Sequence, residues 1–236
     1  MLETRRRFHD ELAALESEIL GLGERAEMAL SRSVQALVAR DGDLALRVVA
    51  EDDALDATYI DVEQRIFGLL ATQTPVASDL RLVSAIMHVN LHLERVGDMA
   101  VNIAKITLAT LGLPTSETVL QHLQEMSDVV TAMLRTSIDA FARRDLDLAR
   151  SLPEMDDPVD RLNRNMYREV LALAADAQLL EWGIRMNVVS RQLERVGDNA
   201  VDIGEQVAFL LTGEFREFTD ASHPGASYPV EAAPPA

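Results

Sequence analysis

The chain has 236 residues, no cysteine, 4% aromatic residues and a formal net charge of −17. The missing cysteines exclude thiolate metal sites, disulfides and cysteine nucleophiles. The acidic balance argues against a nucleic-acid surface, which needs clustered lysine and arginine, and suits cations, basic partner segments or simple solubility instead.

With 48% apolar residues the chain can bury a substantial core, and its wealth of Ala, Leu, Val, Glu, Asp and Arg favours helices packed on helices. From Phe8 the residues Leu12, Leu15, Ile19, Leu22, Ala26 and Ala29 alternate spacings of four and three, the seam of a long amphipathic helix ending near Arg40-Asp41-Gly42. A second helix is expected from Asp43 to Ala71, with Val48, Leu55, Tyr59, Val62, Ile66 and Leu69 inward and Thr74-Pro75 as its breaker. A third runs from Ser78 to Leu111, with Ile86, Val89, Leu93, Val96, Ala100 and Ile103 inward, until Gly112-Leu113-Pro114 stops it.

Glu117 opens a second half that repeats the first. Ala36 to Asp41 resembles Ala140 to Asp145, and Asp52-Asp53 with Asp56 matches Asp156-Asp157 with Asp160, both 104 residues on. In the third helix the offset becomes 100, because the second copy lacks about four residues of the Thr72–Pro75 turn. Nine of fourteen positions agree between Leu91–Ala104 and Arg191–Gly204. The expected fold is therefore all-α: two tandem three-helix bundles, residues 1–112 and 113–213, and a Pro-, Ser- and Ala-rich tail, residues 214–236, expected to be disordered. No stretch approaches the roughly 20 apolar residues that span a bilayer. Met1 to Arg7 is polar, without a signal-peptide core, which leads us to expect a cytoplasmic protein; peripheral docking on a membrane complex is compatible with that.

Leu-Glu-Arg-Val-Gly-Asp occurs twice, at Leu93 to Asp98 and at Leu193 to Asp198. Each copy sets a glutamate four residues before an aspartate, so both carboxylates share one helical stripe and repel. The intervening glycine weakens the helix by roughly 1 kcal/mol relative to alanine. Antiparallel packing of the second helix on the third would bring Asp52 and Asp56 beside Glu94 and Asp98, and Asp156 and Asp160 beside Glu194 and Asp198. The stripe continues as Asn90 and Asn102 in the first copy and as Ser190 and Asp202 in the second. One such pair is ordinarily a solvated face; matched pairs in both repeats point to cations that neutralise them. All-oxygen donors suit hard ions such as Mg²⁺, Mn²⁺ or Ca²⁺, with ferric iron and zinc also admitted.

No histidine follows Glu94 or Glu194 by three residues, as di-iron bundles require, and the carboxylates flank the apolar seam. Both features favour an open binding or docking surface over a catalytic site. Gly97 and Gly197 are expected to permit close helix packing or partner approach. Arg95 and Arg195 are read as surface ion pairs, with anion or partner contact as the alternative. His88 and His92 have no counterparts in the second repeat (Val188 and Gln192) and are read as surface histidines; Arg81 and Arg185 are not equivalent. Trp182 and the few Tyr and Phe residues are assigned to the core. Phosphate loops, nucleophile elbows and His-Glu-x-x-His motifs are absent.

Glu94-Arg-Val-Gly-Asp98 with Ala100-Val-Asn-Ile-Ala104, and Glu194-Arg-Val-Gly-Asp-Asn-Ala-Val-Asp-Ile-Gly-Glu205, resemble the signature of the PhoU family of phosphate-signalling regulators. The resemblance covers about Phe8 to Gly213. It implies two three-helix bundles that bind metal ions, often as multinuclear clusters, and a cytoplasmic, commonly homodimeric regulator without catalysis. It further implies partners: a phosphate ABC transporter ATPase and a sensor histidine kinase, through which phosphate-starvation genes are repressed. The chain departs from the family at Met99 and Asn199, often His, and at Asp202, usually Asn. Two alternatives are a metal-dependent hydrolase or oxidase using the carboxylates, and a helical adaptor for a different phosphate transporter.

Overall fold

The computed structural model describes residues 2–218 and contains six helices: α1 Leu2–Ala39, α2 Gly42–Thr72, α3 Ser78–Thr110, α4 Glu117–Arg143, α5 Leu146–Ala172 and α6 Ala177–Thr212. No strand occurs among the described residues, and the expected all-α repeat architecture is what forms. The inward residues read from helical spacing in α3 are all buried, as are those of α2 apart from the half-buried Tyr59.

The repeat shows in the turns. α1 and α4 each end on an arginine in the left-handed region, Arg40 (φ 55°) and Arg144 (φ 56°), a conformation costing a non-glycine residue about 1–2 kcal/mol. Their side chains offset that cost. Arg40 donates to the carbonyls of Leu111 and Leu113, whereas Arg144 pairs with Glu16 at 2.7 Å and lies 4.7 Å over the Phe141 ring. The next residue caps the following helix: Asp41 accepts from the Leu44 N–H, and Asp145 from those of Asp147 and Leu148.

The helices form two layers. One runs α2–α3–α6–α5 side by side; α1 and α4 cover its back. Adjacent central helices are antiparallel, since Arg81 near the start of α3 donates to the Leu210 carbonyl near the end of α6 at 3.2 Å. α1 and α4 also run antiparallel, tied by Arg144–Glu16 and Arg135–Glu27. One continuous hydrophobic core joins residues from all six helices, so the two repeats share a single interior.

Not every aromatic residue enters that core. Trp182 and Phe141 are fully buried, but Phe67, Tyr167 and Phe215 are exposed, which corrects their assignment from sequence. Helical spacing places Phe67 and Tyr167 on the outer faces of α2 and α5, and aromatic character alone does not reveal facing. Beyond α6, residues 214–218 fold back: the Phe218 N–H donates to Glu205 at 2.6 Å, and Phe218 packs against the core. The rest of the tail, 219–236, lies outside the described residues. No helix among the described residues is long and apolar enough to cross a membrane.

Candidate functional site

The packing of α2 on α3 and of α5 on α6 depends on the glycines inside the doubled motif. A Cβ added at Gly97 would meet Leu55 Cδ1 at 2.9 Å, so the bare backbone there receives a leucine from α2. At Gly197 the neighbour is different: an added Cβ would lie 2.5 Å from Asp156 Oδ1. The second glycine makes room for a carboxylate.

Polar anchors one turn before each motif's glutamate hold each helix pair. The Asn90 side chain donates to the Tyr59 carbonyl at 3.0 Å, joining α3 to α2. Ser190 donates to Asn163 Oδ1 at 2.8 Å, joining α6 to α5. These contacts fix the register that sets Asp52 and Asp56 beside Glu94 and Asp98, and Asp156 and Asp160 beside Glu194 and Asp198.

The electrostatic coupling follows both groupings. Loss of hydration raises the pKa of Asp52 above the usual carboxylate value, and the charges of Asp56 and Asp98 raise it further. Glu94 is raised by desolvation, then by Asp98 and Asp56. In the second group Asp156 is pushed up to about 7, by desolvation first and then by Asp160, Asp198 and Glu194. Glu194 is raised by desolvation and Asp198, with Arg191 opposing. Asp198 stands at the rim, yet desolvation raises it too, followed by the charges of Asp202 and Asp160. All nine predicted carboxylates therefore fall into two clusters, with Asp202 at the edge of the second.

The second cluster is not the open outer face expected from sequence. Glu194 is only 8% exposed, and its Oε2 has no hydrogen-bond partner; neither does the buried Asp156 Oδ1. Pro153 and Pro158 bracket Asp156 in α5, each removing a helical N–H donor. Arg191 pairs with Glu194 Oε1, a contact that sequence reading missed although the i,i+3 spacing could have signalled it.

Two histidine and arginine assignments also change. His88 is exposed, but His92 is buried between α3 and α6. Its Nδ1 lies 2.9 Å from Asn199 Oδ1 and 3.5 Å from Asp202 Oδ2. Because the Asn199 amide nitrogen donates to the Arg195 carbonyl at 2.6 Å, its Oδ1 faces the imidazole, and Nδ1–H is the donor. Arg95 and Arg195 are exposed and form no ion pair among the described residues. Arg81 and Arg185 are inequivalent as expected: the former reaches across to α6, while the latter pairs with Glu181 in its own helix.

As the side chains stand, no three Asp, Glu or His residues among the described residues converge tightly enough to hold a metal ion. The donor set nevertheless fits a hard cation: all its donors are oxygens, several are reluctant to ionise, and two buried oxygens lack partners.

A family model described as the PhoU domain matches residues 19–107 and again 123–207. The chain belongs to the PhoU family. PhoU relatives include phosphate-specific transport system accessory protein homologues from Caulobacter vibrioides, 34% identical over 88% of this chain and 90% of that protein, and from Clostridium acetobutylicum, 31% identical over 92% and 100%. The crystal structure of PhoU from Pseudomonas aeruginosa superposes with a TM-score of 0.84 at 31% identity, covering 88% of this chain and all of that one. The phosphate transport system regulatory protein PhoU from Streptococcus pneumoniae gives 0.81 at 30% identity, covering 89% and 99%. PhoU membership accounts for the doubled motif and the layered six-helix architecture together.

Proposed function

We propose that this chain is a cytoplasmic accessory protein of phosphate transport that represses the phosphate-starvation response when phosphate is plentiful. It would act by protein contact, without catalysis, linking a phosphate ABC transporter ATPase to a sensor histidine kinase, commonly as a homodimer. The observation that carries the accessory role is similarity over 88–89% of this chain, in sequence and fold, to proteins named for phosphate transport. Deleting the gene and following a phosphate-responsive promoter in phosphate-rich medium tests it. Derepression is expected; an unresponsive promoter with unchanged phosphate uptake contradicts the role.

The two carboxylate clusters are, in this reading, cation sites that hold the acidic face together. Asp52, Asp56, Glu94 and Asp98 would hold one ion or cluster; Asp156, Asp160, Glu194, Asp198 and Asp202 would hold the other. Support comes from raised carboxyl pKa values in both groups and from the partnerless oxygens of Asp156 and Glu194. A bound cation would supply the positive charge that lets neighbouring carboxylates ionise together. Mg²⁺, Mn²⁺ and iron all suit oxygen donors.

A further inference from the structure

The two repeats are related by an approximate two-fold axis between the antiparallel helices α3 and α6. His92 faces Asn199 across this axis, and the same register sets Met99 opposite Gln192. Only one of these equivalent pairs is satisfied. The imidazole donates to Asn199, while methionine offers Gln192 no donor, and the Gln192 Oε1 is buried without a partner. The symmetry is broken again one turn on, where Asp202 replaces the residue equivalent to Asn102 and lies 3.5 Å from the same imidazole nitrogen.

We propose that His92 of the first repeat is a positioning residue for the second repeat's carboxylate cluster, and that it makes that cluster the tighter of the two cation sites. This rests on the cation-site reading above. The imidazole is buried and cannot wander. Its Nδ1–H donates to Asn199, the same nitrogen lies 3.5 Å from Asp202 Oδ2, and Asp202 stands one turn from Asp198. Asp202 adds a fifth acid, in reach of the imidazole, at the edge of a cluster that already contains Glu194, more than nine-tenths buried with a partnerless Oε2. The first cluster has no counterpart: its stripe continues as Asn102, and the residue facing α6 at the equivalent level is Met99. Residues that orient ligands from behind typically change cation affinity by roughly 10- to 100-fold when removed.

The test is a Mn²⁺ titration of the full chain, with free Mn²⁺ read by electron paramagnetic resonance, on wild type, His92→Leu, His92→Gln and Asp202→Asn. Wild type is expected to show a tight and a weaker class of sites. His92→Leu and Asp202→Asn should each weaken the tight class roughly tenfold and leave the weaker class unchanged. His92→Gln, which keeps a donor for Asn199, should recover most of the loss; a merely structural role would not be rescued this way. Unchanged affinities in His92→Leu and Asp202→Asn, or equal weakening of both classes, overturn the proposal. Wild type without saturable Mn²⁺ binding overturns the cation-site reading itself.

Discussion

The two clusters start from nearly the same residues and end in different environments. In the first, Gly97 admits Leu55, so apolar packing occupies the notch, and the carboxylates stand at a partly open surface. In the second, Gly197 admits Asp156, and Glu194 is buried beside it. Like charges packed this closely and stripped of water are unfavourable unless a counter-ion arrives. An identical six-residue motif sets only where carboxylates can stand; the opposing helix decides how far they are stripped of water.

The largest expected effect probes whether the second half also carries more of the core. Trp182 is 1% exposed, whereas its counterpart Leu82 is only partly buried. Trp182→Ala should cost about 3–5 kcal/mol and Leu82→Ala about 1–2 kcal/mol, both read from urea midpoints. Equal losses would make the halves energetically alike.

The next effect is electrostatic. Asp156 is held near 7 in the fold against an ordinary value of 3.8. Between those values the folded chain binds more protons than the unfolded one, so stability without cations falls as pH rises through this window and levels off above it. The decline should amount to roughly 1–2 kcal/mol once solvent screening is allowed for. Asp156→Asn should flatten it, and Asp52→Asn should flatten it less. Thermal melts in chelator between about pH 5 and about pH 8 check both; a rising melting temperature across that range would contradict the burial described.

The smallest stability effect separates the two notches. Gly97→Ala and Gly197→Ala each gain about 1 kcal/mol of helix propensity and lose a similar amount to crowding. Net changes should stay within about 1 kcal/mol. Cation content should distinguish them: Gly197→Ala displaces the Asp156 carboxylate and lowers occupancy of the second cluster, while Gly97→Ala displaces a leucine and leaves occupancy unchanged. Loss of cations in both variants would erase the distinction.

Much of this organisation was legible in the sequence because it is local. Alternating three- and four-residue spacing, with breakers at Thr74-Pro75 and Gly112-Leu113-Pro114, gives helix limits within a few residues of those observed. Four-residue carboxylate spacing and antiparallel neighbours were enough to assemble both clusters. What stayed hidden depends on packing between the halves. His92 meets Asn199 across 107 residues, and nothing in the periodicity of α3 says that this position faces α6 instead of water. The burial of Glu194 follows from the approach of α5 near Asp156, which no residue of α6 encodes by itself.

Each carboxylate cluster is proposed to be an independent cation site. Elemental analysis of the purified full chain, compared with Asp52→Asn/Glu94→Gln and Asp156→Asn/Glu194→Gln, tests it most directly. Each double variant should lose the cations of its own cluster and retain those of the other. A wild-type protein free of metal, or equal loss from both variants, would rule out two independent cation sites.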